Sequence, residues 1–267
     1  MKILLTGGGS GGHITPLLAV AKELKKLDNE VVIEAVCEKD GRFAELFKTE
    51  PAITKLHKIS AGKYRRFGGL STMQKLLNYK VHIKNVQDIG KVCIGYAQAR
   101  RLLKQFKPDG ILIKGGYVGV PVGLAAASLK IPFITHDSDT LPGLANKIIA
   151  RWAYKHATGM PIEFYDYPKG STVYVGVPIS SNFKRATPDL VKSYRKTIGL
   201  SECDSVITVI GGSQGGEQLN EDMLKIAGRL MQHYPKLGIA HIAGESVRLP
   251  EDRKSTRLNS SHSDRSR

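Results

Sequence analysis

The first residue able to do chemistry is a histidine set directly behind a run of glycines. Met1-Lys-Ile-Leu-Leu-Thr6 leads into Gly7-Gly-Gly-Ser-Gly-Gly12, and His13 follows at once. A short apolar strand, a loop of small residues and a helix are expected, with Thr15 as N-cap and Pro16 at the first helical position. Such a loop lets backbone approach a ligand closely, and the helix behind it aims free N–H groups and a partial positive charge at that ligand. An anion or a sugar hydroxyl suits the place. His13 at its mouth either caps and packs or stays neutral and serves as a general base.

Gly7, Gly9 and Gly12 also satisfy G-x-G-x-x-G, which brings a nicotinamide dinucleotide into consideration. That reading needs an acidic residue closing the second strand to hold the ribose. Glu34 lies within the apolar run Val31–Val36 and Glu38 just after it, so the requirement is met loosely.

Behind this opening the chain alternates strands and helices, the pattern of a parallel α/β sheet. A helix is expected from the spacing of Leu17, Leu18, Ala21, Leu24 and Leu27, then a strand over Val31–Val36 and a short helix around Phe43–Phe47. A further helix over Val92–Phe106 precedes the strand Ile111–Ile113, which opens on a second glycine loop, Lys114-Gly115-Gly116-Tyr117, with Pro121 starting the next helix. The strand Ile131–Thr135 delivers His136-Asp137-Ser138-Asp139 at its carboxyl end, where open parallel sheets place ligand residues. Asp137 and Asp139 also spell D-x-D, two carboxylates that could hold a divalent ion. After a strand over Thr172–Gly176 the architecture repeats: a helix over Asp189–Ile198, a strand over Val206–Ile210, the loop Gly211–Gly216, a helix to Tyr234 and a strand over Leu237–Ala243.

Gly8-Gly9-Ser10-Gly11-Gly12-His13, with Pro16 behind it, resembles the amino-terminal signature of the MurG glycosyltransferases, family 28. Gly115-Gly116-Tyr117 is similar to that family's acceptor-side loop, Gly143 and Asn146 match the motif after its His-Glu-Gln-Asn, and Gly212-Ser213-Gln214 resembles its donor-diphosphate loop. The resemblance runs over residues 1–250 and implies the GT-B fold: two doubly wound, Rossmann-like α/β domains, the second incomplete. It implies an acceptor and membrane domain over 1–180, part of a UDP-sugar domain over 181–250, and a disordered or foreign tail over 251–267. The implied reaction moves N-acetylglucosamine from UDP-GlcNAc to the 4-hydroxyl of the undecaprenyl-linked muramyl-pentapeptide, with inversion. His13 would be the base; Ser10, Gly11, Gly12, Gly115, Gly116, Tyr117, Asp139, Asn146, Gly212, Ser213 and Gln214 would bind donor or acceptor. Neither a metal nor a cofactor is implied, UDP-GlcNAc being a substrate. Two positions depart from the family: Asp139 stands where it has asparagine, and Ser180 where it has an arginine for the donor nucleotide. The family's ribose carboxylate and sugar glutamines have no counterpart here, so this chain alone is expected to be inactive. A transferase using another lipid or small acceptor, a module that binds without turnover, and a nicotinamide enzyme are the competing readings, the last disfavoured by the second glycine loop.

The 267 residues are 41% apolar, enough for real cores, and carry a formal charge of +16, which attracts phosphate. Cys37, Cys93 and Cys203 have no metal-ligand spacing and read as reduced, buried thiols. Lys63, Arg65, Arg66, Lys75, Lys80 and Lys84 are interleaved with Tyr64, Phe67, Leu70, Met73 and Tyr79, with no acidic residue among them. This is either a solvated helix with an ordinary core face or a surface that lies on anionic lipid. The family resemblance favours the second, with Lys63, Tyr64, Arg65, Arg66 and Phe67 at the membrane. A cytoplasmic protein peripheral to the inner face of the plasma membrane is therefore expected, with no nucleic acid as partner.

Overall fold

The computed structural model describes residues 1–64, 79–181, 183, 185–211 and 215–244. The chain divides into two compact units, Met1–Phe183 and Lys184–Arg267. In the first, seven strands form one sheet: β1 (Lys2–Thr6), β2 (Val32–Glu38), β3 (Lys55–Ile59), β4 (Gly110–Ile113), β5 (Phe133–Asp137), β6 (Lys155–Thr158) and β7 (Thr172–Tyr174). All neighbours run parallel, in the order β3-β2-β1-β4-β5-β6-β7. The order reverses between β1 and β4, and at such a switch point the loops after the two strands diverge and leave a crevice.

Alternation along the strands feeds two cores. Leu4 of β1 and Val36 of β2 face one side, where they pack with Leu103 and Phe106 of α2 (Tyr79–Phe106), Val122 and Ala126 of α3 (Gly119–Ser128), and Ile149 of α4 (Leu144–Ile149). Leu5, Ala35 and Cys37 face the other, against Ile14, Leu17 and Ala21 of α1 (Gly11–Leu27) and Phe47 of the 3-10 turn Ala44–Thr49. A sheet buried on both faces explains why β1 and β2 read as continuous apolar runs. The fold class is α/β and doubly wound, as the alternation predicts.

The second unit pairs β8 (Ser205–Ile210) with β9 (Leu237–Ile242) in parallel, flanked by α5 (Pro188–Thr197) and α6 (Glu217–His233). Thr187 caps α5 by accepting the Leu190 N–H at 3.3 Å, and Pro188 takes the first helical position. These elements fall within a residue or two of the expected ones.

Several boundaries differ, each for an identifiable reason. α1 starts at Gly11 with Ser10 as its N-cap residue, and Pro16 lies inside it. Proline there lacks the N–H that would bond the Gly12 carbonyl, but Gly12 is an exposed residue of the first turn, and the helix continues through Pro16. Pro121 likewise sits in the first turn of α3 rather than at its start. α2 already contains Tyr79, well before Val92. Its Gly95 lies so close to the Ser60 carbonyl that a Cβ would overlap it, and Gly62 meets the Asp88 carbonyl in the same way, so close docking holds a helix that glycine would weaken in isolation. β3 and β6 were not expected from sequence; Lys55-Leu-His-Lys-Ile59 and Lys155-His-Ala-Thr158 are too polar to announce themselves. Cys37 is buried as expected, whereas Cys93 is exposed on α2 and Cys203 is partly so.

Candidate active site

Both glycine loops of the first unit leave the sheet at the switch point, from the carboxyl ends of β1 and β4. They are packed against each other. Lys114 N–H donates to the Thr6 carbonyl at 2.9 Å, the Tyr117 ring covers Gly9, where a Cβ would meet Cε1 at 2.9 Å, and a Cβ on Gly116 would overlap the Gly8 carbonyl. Gly9 and Gly116 both hold positive φ, 82° and 77°, a region L side chains rarely enter.

His13 lies in the first turn of α1, and its Nδ1 is 2.8 Å from the Gly8 carbonyl and 3.1 Å from Ser10 Oγ. A carbonyl can only accept, so Nδ1 carries the proton and Nε2 keeps its lone pair. Burial lowers the His13 pKa from its ordinary value; the Gly8 bond opposes that shift, Lys114 adds to it, and the Asp139 and Glu38 charges oppose it. A neutral imidazole with a free Nε2 is the state a general base requires.

Around it the structure gathers part of the expected set. The bare Cα of Gly115 lies beside His13 Cδ2 and the Asn146 amide, each within 4 Å of where a Cβ would stand. Asn146 is buried in α4, donates from Nδ2 to the His136 carbonyl at 3.1 Å, and has an Oδ1 without a hydrogen-bond partner among the described residues. Ser10, Gly11 and Gly12 form the start of α1, with Gly12 exposed. Asp139 is exposed just past β5, and its carbonyl accepts from the Tyr165 hydroxyl at 2.7 Å. Gly212, Ser213 and Gln214 lie outside the described residues, as do Arg65, Arg66 and Phe67, while Lys63 and Tyr64 are exposed.

Asp137 does not face a ligand as half of D-x-D. Its two oxygens accept from Gly143 N–H and from the Tyr167 hydroxyl, each at 2.9 Å, which ties β5 to the turn before α4. Tyr167 also stacks on His156, ring centroids 4.0 Å apart, and His156 is hydrogen-bonded to Thr135 at 2.8 Å. His136 donates from Nε2 to the Gly176 carbonyl at 2.9 Å, and burial, the largest cause, lowers its pKa.

The structure gives two residues a place that the sequence reading did not assign them, Lys114, read only as part of the second glycine loop, and Glu38, weighed only as a ribose carboxylate. Lys114 is buried and donates from Nζ to Ser138 Oγ at 2.8 Å; burial, the largest cause, lowers its pKa against the raising effect of Asp137 and Asp139. The only clue in sequence was a lysine directly between an apolar strand and Gly-Gly. Glu38 closes β2 where a dinucleotide-binding fold would present a ribose carboxylate, but it is buried and its Oε1 accepts from Gly9 N–H at 2.9 Å. The carboxylate is thus turned into the glycine loop, which disfavours the nicotinamide reading.

Comparison with known families decides the affiliation, since residues 3–158 match the glycosyltransferase family 28 N-terminal domain. The chain belongs to this family. A UDP-N-acetylglucosamine--N-acetylmuramyl-(pentapeptide) pyrophosphoryl-undecaprenol N-acetylglucosamine transferase of Lachnospira eligens is 36% identical over 251 residues, 91% of this chain and 62% of that protein. The protein of the same name from Staphylococcus aureus is 33% identical over 254 residues, 95% of this chain and 65% of its own length. This family 28 chain therefore spans 62 to 65% of the length of these curated relatives. Among solved structures, the crystal structure of Acinetobacter baumannii MurG superposes with a TM-score of 0.57 at 21% identity, covering 92% of this chain and 67% of that one. UDP-GlcNAc 2-epimerase from Neisseria meningitidis bound to UDP-GlcNAc gives 0.56 at 13% identity, covering 90% and 65%. Both likenesses speak for the GT-B fold class.

Proposed function

We propose that the first unit is the acceptor-binding half of an inverting glycosyltransferase that moves N-acetylglucosamine from UDP-GlcNAc to the 4-hydroxyl of the lipid-linked muramyl-pentapeptide. The observation that carries this reading is the placement of His13, whose Nδ1 lies 2.8 Å from the Gly8 carbonyl at the switch point of the sheet and whose Nε2 has no hydrogen-bond partner among the described residues. Nε2 takes the proton of the acceptor hydroxyl as its oxygen attacks the anomeric carbon, and the bond from that carbon to UDP breaks on the opposite face. Inversion follows from the single displacement. The imidazolium and the UDP diphosphate carry the charges formed. Gly115, Gly116, Tyr117, Asp139 and Asn146 are proposed to hold the acceptor, and Gly212, Ser213 and Gln214 the donor diphosphate. The names of the two curated relatives support the choice of donor and acceptor.

Holding donor and acceptor together is worth roughly 7 to 11 kcal/mol of the barrier, so the reaction needs both bound at once. Calorimetric titration tests the donor assignment. UDP-GlcNAc should bind a chain extended to its relatives' length and NAD should give no heat; the reverse pattern would return the glycine loop to the dinucleotide class.

Association with an anionic membrane is part of the same proposal. Tyr79, Ile83, Val86 and Ile94 of α2 are exposed and recur at helical spacing, following the basic and aromatic segment that begins at Lys63 and Tyr64. No helix among the described residues is long and apolar enough to cross a membrane. Each cation near such a surface contributes about 1 kcal/mol. Co-sedimentation should require anionic vesicles, weaken with salt, and fall sharply when Lys63, Arg65 and Arg66 become glutamate. Equal binding to neutral vesicles would reduce the segment to an ordinary solvated face.

A further inference from the structure

We propose that Glu38 is the positioning residue that fixes the tautomer of His13, acting through the backbone of the first glycine loop. The inference rests on the reading of His13 as base, though the geometry behind it is independent of any substrate. Glu38 Oε1 accepts the Gly9 N–H at 2.9 Å, a bond strengthened by the carboxylate charge. That bond holds Gly9 in its left-handed conformation under the Tyr117 ring. Because Gly9 N–H and the Gly8 carbonyl belong to one planar peptide unit and point opposite ways, the same bond aims the Gly8 carbonyl at His13 Nδ1, 2.8 Å away. One hydrogen bond to a carboxylate therefore decides, across a single peptide unit, which imidazole nitrogen carries the proton.

The carboxylate is confined on every side. A Cβ at Gly8 would overlap Oε2, and a Cβ at Gly41 would stand 2.6 Å from Oε1. Oε2 is buried, and besides the Gly9 N–H the carboxylate interacts with the Tyr117 side chain, the ring that covers Gly9. Burial, then the Glu38 charge and a side-chain hydrogen bond to Glu38, push the Tyr117 pKa up to about 12, keeping the phenol neutral. Outer residues that orient a histidine through its second nitrogen set both its tautomer and its basicity. Here the orienting acceptor is a backbone carbonyl, and Glu38 sets the carbonyl.

The charged groups acting on His13 are Lys114, Asp139 and Glu38, so removing the last separates two effects. Glu38→Gln keeps an oxygen for Gly9 N–H and removes the charge. Glu38→Ala removes both. Nitrogen-15 spectra of histidine-labelled 267-residue chain report the tautomer and the titration of His13 directly. In the parent chain the Nδ1–H form should hold nearly all of the neutral population. In Glu38→Ala it should fall to a minority, as in the free histidine side chain, with the rest of the spectrum still dispersed. Glu38→Gln should keep the tautomer and titrate at lower pH, because the negative charge that favours imidazolium has gone. A parent tautomer retained in Glu38→Ala would overturn the proposal; should the alanine variant fail to fold, a parent tautomer retained in Glu38→Asp, whose carboxylate is one methylene short of the Gly9 N–H, would do so. Turnover of His13→Ala near that of the parent would remove the catalytic reading and leave the tautomer result standing.

Discussion

His13→Ala, in a protein extended to the length of the curated relatives, lowers turnover by about 100-fold or more while leaving the fold intact, the usual range for loss of a positioned general base. The site predicts more than the size of the effect. Burial lowers the His13 pKa below the ordinary 6.5, so the unprotonated base persists as pH falls and is lost only beneath that value. Turnover of the parent should therefore hold between pH 8 and 6.5 and decline on a limb lying lower still. The same limb should be absent from the residual activity of the alanine variant. Turnover within a few fold of the parent, or a limb above pH 7, would take His13 out of the mechanism.

Gly116→Ala carries the second large expectation. A Cβ there would overlap the Gly8 carbonyl, and the residue would have to hold φ 77°. Left-handed backbone alone costs an ordinary residue roughly 1–2 kcal/mol, and displacing packed backbone adds a comparable amount, about 2–4 kcal/mol in all. For a domain of this size that lowers Tm by roughly 5–15 °C. Because the carbonyl that must move is the one bonded to His13 Nδ1, turnover should fall as well. Gly90→Ala serves as the opposite control: nothing lies within 4 Å of its Cβ position in the exposed part of α2, so alanine should stabilise by about 0.5–1 kcal/mol. Equal melting of the two variants would show that the contact between the glycine loops does not constrain the site.

How far the sequence could be read depended on how local each signal was. The glycine loops and His13 were legible because small residues between an apolar strand and a helix leave few other conformations. Strands β1, β2 and β4 were legible because a doubly covered sheet demands unbroken apolar runs. β3 was not, because an edge strand such as Lys55–Ile59 needs only alternate residues inward and leaves its lysines to water. β6 was hidden for a different reason: His156 and Thr158 are buried, and a hydrogen bond and a stacked tyrosine that satisfy the imidazole come from distant segments. The start of α1 was misplaced because proline at position 16 looks like a helix beginning, and only the contacts of Gly8 and Ser10 with His13 show that it begins at Gly11.

The chemistry of the acidic residues was the least legible. Glu38, Asp137 and Asp139 are each a carboxylate at the end of a strand in sequence, yet one turns under a glycine loop, one ties β5 to the turn before α4, and one is exposed. Direction of a side chain at a strand end is set by which backbone donors the neighbouring loops offer, and those loops come from other parts of the chain. Lys114 belongs to the same class, since its burial against Ser138 depends on where β5 delivers that hydroxyl.

The central claim is a transfer reaction, and labelled N-acetylglucosamine followed from UDP-GlcNAc to the lipid-linked muramyl-pentapeptide measures it directly. With a protein extended to its relatives' length, label should move to the 4-hydroxyl of the muramyl sugar with inverted anomeric configuration, and His13→Ala should nearly abolish the transfer. Label that stays on UDP-GlcNAc, or that reaches only a different acceptor, would contradict the assignment of the first unit to this substrate.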